Sequence, residues 1–184
     1  MNRSEDLGVT TEDGVTYHRF GPNKSDVTDD LCFMATNIPS TNTKYVVIKL
    51  RTNIVASTNY EPWFSLFGTG VEQGRRFKFQ SSFMEGTEWT TFVIDLEKAL
   101  PGQFDAEGNL LAIPQFVFTP YRDKAFMDEN STIDVAYMAF CSSIDGVIDV
   151  IDQESVVYQE ASDGNGNCSV MTPEQLAALG QTAE

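Results

Sequence analysis

Short runs of β-branched and aromatic residues recur along almost the whole chain, each closed by Gly, Pro, Asn, Asp or Ser. This spacing constrains the fold more than any other feature, because branched and aromatic side chains suit a pleated surface and turn residues interrupt it. The runs lie at residues 15–20, 31–35, 45–51, 63–67, 75–80, 89–96, 115–119, 132–141 and 156–159. They predict an antiparallel all-β domain. No internal repeat is visible, and no stretch rich in Pro, Gly or Ser divides the chain before about residue 155.

Alternation within the runs assigns faces, since successive strand side chains point to opposite sides. In RRFKFQ, Phe77 and Phe79 share one face while Arg76, Lys78 and Gln80 share the other. In YVVIKLR, Val46, Ile48 and Leu50 fall together, and Tyr45, Val47, Lys49 and Arg51 fall opposite. Both patterns predict a sheet with one core side.

Helical signals are minor. Residues 96–100, ahead of Pro101, suit a single turn, and apolar residues at 144, 147, 148 and 151 have the spacing of a short amphipathic helix. Thr172 suits an N-cap, Pro173 a first helical position and Gly180 a stop. The chain thus divides into a lead-in at 1–14, a β domain at 15–155 and an acidic hairpin and helix extension at 156–184.

At 184 residues and 41% hydrophobic content the chain can build one core without disulfides or metal. No stretch approaches the roughly 18 apolar residues of a membrane helix, and residues 1–14 hold no apolar signal core. The expectation is a soluble chain, with any signal peptide already removed. The net charge is −15, and no Lys or Arg follows Lys124 although eleven carboxylates do. Counterion release by Lys and Arg drives nucleic-acid binding, so nucleic acid and anionic membranes are poor partners for this chain.

Cys32, Cys141 and Cys168 lack the close pairing of a zinc site. Cys32 and Cys141 sit in strand-like segments, as buried thiols or as a disulfide. His18 is the one histidine, and no Gly-x-Ser-x-Gly, phosphate loop or His-Glu-x-x-His occurs. No enzyme is expected, although paired carboxylates for glycoside hydrolysis cannot be picked out of 27.

Three segments carry a resemblance. They are YVVIKLRT at 45–52, EWTTFVIDL at 88–96 and IDVAYMAFC at 133–141. Together they resemble core strands of β-sandwich domains from secreted proteins of anaerobic bacteria, a loose group similar to carbohydrate-binding modules and galactose-binding-like jelly rolls. The resemblance spans about residues 15–155. It implies an antiparallel β-sandwich (jelly roll) with one or two short helices, a secreted or cell-surface location and a glycan or other extracellular ligand. It also implies a structural role for Trp89 in the core, and a structural calcium near Asp134.

A sugar presents a C–H face that packs on a flat aromatic, with polar groups around it for the hydroxyls. Tyr60 and Trp63 beside a Pro turn, and Tyr121 and Arg122 beyond a strand end, could supply such a platform; core or loop packing explains the same aromatics. Arg76 and Lys78 could reach hydroxyls, or form cross-strand ion pairs. The segment 163–174 places oxygen ligands like a calcium loop, but Cys168 stands where the sharp turn needs Gly. A turn joining 156–159 to a short strand at 169–171 accounts for the same residues. No cofactor is required. The expected function is a non-catalytic extracellular glycan-binding module. The alternative is a structural or assembly domain of a surface, filament or virion protein, self-associating or docking on neighbouring domains.

Overall fold

The computed structural model describes residues 4–22, 33–35, 39, 41–54, 63–67, 75–78, 87–99, 102, 104–110, 115–119, 128–152, 154–161 and 167–181. In chain order the strands are β1 (Ser4–Glu12), β2 (Val15–Pro22), β3 (Phe33–Ala35), β4 (Tyr45–Thr52), β5 (Trp63–Phe67), β6 (Arg75–Lys78), β7 (Thr90–Asp95), β8 (Gln115–Thr119), β9 (Ile133–Cys141), β10 (Val156–Ala161) and β11 (Asn167–Met171). Three helices accompany them: α1 (Leu96–Ala99), α2 (Ile144–Val150) and α3 (Pro173–Gln181). The chain is mostly β.

Two sheets form, one of seven strands in the order β1-β2-β9-β4-β7-β10-β11 and one of four in the order β3-β8-β5-β6. The larger is mixed, correcting the purely antiparallel expectation: β10 runs parallel to β7, with Tyr158 opposite Val93, while its other pairs are antiparallel. The segments that the sequence sets apart as lead-in and C-terminal extension supply β1, β10 and β11 to this same sheet. Asp13 and Gly14 both have positive φ and make the two-residue turn between β1 and β2, the geometry that matches strand twist.

The centre of the large sheet is buried on both faces. On one, Val46, Ile48, Leu50, Phe92, Ile94, Ile133, Val135 and Val157 pack together with Leu96, Ala99 and Leu110. On the other, Val47, Val93 and Tyr158 pack against Ile144 and Val147 of α2, Ile151 just beyond it, and Leu176 of α3. The expectation of one core side for β4 is therefore corrected: Val47 is fully buried and Lys49 nearly so. The apolar stripes of the two helices cover what alternation alone assigns to water.

Local signals fix those helices. Ser143 caps α2 by accepting from the Gly146 amide at 3.1 Å. Thr172 and Gln175 form a reciprocal capping box on α3, with bonds of 3.3 and 2.9 Å. The helix runs one residue past Gly180, the expected stop, and a methyl group at Gly180 would lie 3.3 Å from Ile144 Cβ. Gly180 is where α3 closes on α2.

Candidate functional site

Beyond the helices, the same face of the large sheet becomes polar. Arg19 of β2 and Arg51 of β4 both stand opposite Asp134 of β9. An irregularity in β9 makes this row. The register passes from Lys49 opposite Tyr137 to Leu50 opposite Val135, leaving Ala136 as an extra residue. Strict alternation would put Ile133, Val135 and Tyr137 on one face. The bulge instead directs Ile133 and Val135 into the core and turns Asp134 to the face of the arginines.

Six hydrogen bonds close a ring. Asp134 Oδ1 accepts from Arg19 Nε at 2.7 Å, and Oδ2 accepts from Arg19 Nη2 at 2.8 Å and Arg51 Nε at 2.9 Å. Arg19 Nη2 also donates to the Tyr17 hydroxyl at 2.9 Å, Tyr17 donates to Glu12 Oε2 at 3.2 Å, and Arg51 Nη2 donates to that same oxygen. The Arg51 guanidinium lies 4.7 Å from the centre of the Trp89 ring and 5.0 Å from that of Tyr17, and the two rings are 5.4 Å apart. Trp89, expected in the core, is corrected to a wall of this polar cluster.

The charges reinforce one another. Hydrogen bonds from Arg51 and Tyr17 hold the Glu12 carboxyl below its ordinary value. The bond to Asp134 raises Arg19 above the usual guanidinium value. Burial works against the charge of Arg51, but its bonds to Glu12 and Asp134 outweigh burial and raise it as well. Both guanidiniums are permanent cations at any pH of interest.

This cluster floors a cleft of about 320 Å³ lined by Glu12, Arg19, Arg51, Thr52, Asn53, Thr87, Asn130, Thr132 and Asp134. Its rim is built by side chains that imitate strand pairing. Asn53 donates to the Asn130 carbonyl at 2.8 Å and accepts from the Thr132 amide at 2.7 Å, while Thr52 donates to the Thr132 carbonyl at 2.8 Å. Among the described residues, Nη1 of each arginine and the side chains of Thr87, Asn130 and Thr132 have no hydrogen-bond partner. The cleft is thus a polar pocket with donors and acceptors to spare.

The sequence-based site is distributed differently. Tyr60, Tyr121 and Arg122 lie outside the described residues. Trp63 stands opposite Lys78 in the register of β5 and β6, and Arg76 stands opposite Ser65, so these three share the small sheet. The residues that line the cleft carry two legible signals: the Asp13–Gly14 turn, which pairs β1 with β2 and so brings Glu12 to Tyr17, and the Arg-Thr-Asn run closing β4. The bulge at Ala136 has no sequence signal of its own.

For cations, Asp134 already accepts three guanidinium hydrogen bonds. Among the described residues, no group of three or more His, Cys, Asp or Glu stands together as a metal ligand set. Within 163–174, residues 163–166 lie outside the described residues and Asn167–Met171 is β11, paired with β10. Cys141 and Cys168 are not joined in a disulfide, and burial raises the Cys141 value; Cys32 lies outside the described residues. No described helix is long and apolar enough to cross a membrane. No protein-family model matches the chain, and neither does any curated protein.

Proposed function

We propose that this chain is a non-catalytic extracellular binding module for glycans, a β-sandwich of jelly-roll type whose ligand enters the cleft over Arg19, Arg51 and Asp134. One observation carries the reading. A polar cleft presents unengaged arginine, threonine and asparagine groups, the donors and acceptors that sugar hydroxyls require. The ring of bonds beneath fixes these groups before the ligand arrives, which lowers the ordering cost of binding. Trp63, Arg76 and Lys78 of the small sheet, with Tyr60, Tyr121 and Arg122, are a second candidate platform, and calcium in 163–174 or near Asp134 would be structural.

A glycan array, run with and without calcium, tests this directly. The expected result is selective binding to one sugar class that weakens in Thr87→Val and Thr132→Val and survives Trp63→Ala with Tyr121→Ala. Loss only in the aromatic double variant would move the site to the small sheet. Silence across the array would remove the proposal.

A second reading, assembly with neighbouring subunits, is favoured by the sheet edges. Leu7 and Val9 on β1 and Val170 on β11 are exposed at opposite ends of the seven strands. Light scattering after size exclusion distinguishes it: a monomer at high concentration speaks against assembly.

A further inference from the structure

We infer that the cleft takes a glycan bearing a carboxylate, a uronic acid, and that Glu12 holds the ligand's place in the free protein. The inference rests on the glycan-module reading and narrows its ligand class.

The two carboxylates of the ring are not equivalent. The Asp134 side chain is 4% exposed and receives bonds from both arginines, so it is a fixed part of the floor. The Glu12 side chain is 52% exposed and ends the edge strand β1 next to the Asp13–Gly14 turn. It meets Arg51 through Oε2 alone, and its Oε1 has no partner among the described residues. Swinging Glu12 into water would cost little, because it is already largely hydrated.

Its departure would leave Arg51 with two unpaired nitrogens, Nη2 beside Nη1, on a guanidinium that packs over both the Trp89 and the Tyr17 rings. Two adjacent N–H donors in one plane are the fork that a carboxylate accepts bidentately. The exchange is also charge for charge. One singly charged carboxylate replaces another, and the balance of two guanidiniums against two carboxylates is restored. A doubly charged phosphate would add negative charge beside Asp134 in a chain already at −15. Thr87, Asn130 and Thr132 stand on the rim where the hydroxyls of the same ring would fall.

Calorimetry with oligogalacturonate and oligoglucuronate, each beside its methyl ester, provides the test. The acid forms should bind and the neutral esters should bind more weakly. Glu12→Gln should tighten the acid forms roughly two- to fivefold, the scale of one exposed ion pair removed from competition, and widen their margin over the esters. Arg51→Lys, which keeps the charge but not the fork, should narrow the preference for acid over ester. A thermal melt of each variant establishes that it is folded. Esters binding as tightly as acids, or a folded Glu12→Gln that fails to tighten the acids, overturns the inference and leaves the module reading standing. If neither uronates, esters nor any array glycan binds, both fall together.

Discussion

Asp134 concentrates the charge network among the described side chains. It is buried, it accepts from two arginines on the strands either side, and those arginines reach Tyr17 and Glu12 through their remaining nitrogens. Removing one member of a buried charge cluster leaves the others without compensation, an effect larger than the net worth of the cluster itself. Asp134→Ala should therefore destabilise the fold by about 3 kcal/mol, measured as a lower midpoint in urea. Tyr17→Phe removes only one hydroxyl and keeps the ring packing, so about 1 kcal/mol is expected. Equal losses in the two variants would mean that the ring is a set of independent bonds. Arg51 is the informative third position for binding, because its stacking on Trp89 is set by packing and its charge by the carboxylates.

Elements show where the sequence speaks and where it falls silent. Nine runs of strand-forming residues correspond to nine strands, and the Thr172-Pro173 start of α3 is written in its capping residues. The hairpin of β1 was hidden because Ser4–Glu12 is largely exposed on both sides and has no apolar alternation, yet the Asp13–Gly14 turn marks it. The second buried face of β4 is invisible in β4 itself, since Val47 has no way to announce that α2 will lie over it. The place of Asp134 in the candidate cleft depends on the Ala136 bulge, a property of pairing between two strands and not of either alone. Deleting Ala136 should remove the bulge and make Val135 and Tyr137 neighbours on opposite faces, which keeps Val135 in the core and Asp134 with the arginines. The expected outcome is a cooperative thermal melt, and loss of cooperativity would mean that the local bend of the bulge, and not only the facing it sets, is needed by the fold. At α3, Thr172→Ala should cost about 1 kcal/mol through the lost capping box. Equilibrium unfolding in urea reads that loss, and an unchanged midpoint would show that packing of Leu176 alone holds the helix.

At the scale of the whole molecule, charge opposes the fold that packing favours. A net charge of −15 is self-repelling in the compact state, and at physiological salt screening acts over about 8 Å. Melting temperature at pH 7 should therefore rise as sodium chloride is increased. Lowering the pH toward 5 should raise it too, because protonation reduces the net charge. The trend must then reverse. Glu12, held low by Arg51 and Tyr17, Asp105, held low by the Asn109 amide, and Glu174, held low by its own amide and Thr172, all have folded values below their ordinary ones. A depressed carboxyl contributes stability that is complete above its ordinary value, 4.5 for Glu and 3.8 for Asp, and is lost as pH falls through the folded value. Stability should accordingly peak on the acid side of neutrality and decline below about pH 4.5, where Glu12 begins to leave the ring. A calorimetric series from pH 8 to 3 at two salt concentrations measures both limbs. A melting temperature that falls with added salt at pH 7 would show that attractive pairs such as Arg51–Glu12 and Lys49–Glu154 outweigh the repulsion, and that the acidic surface is balanced in place despite its excess charge.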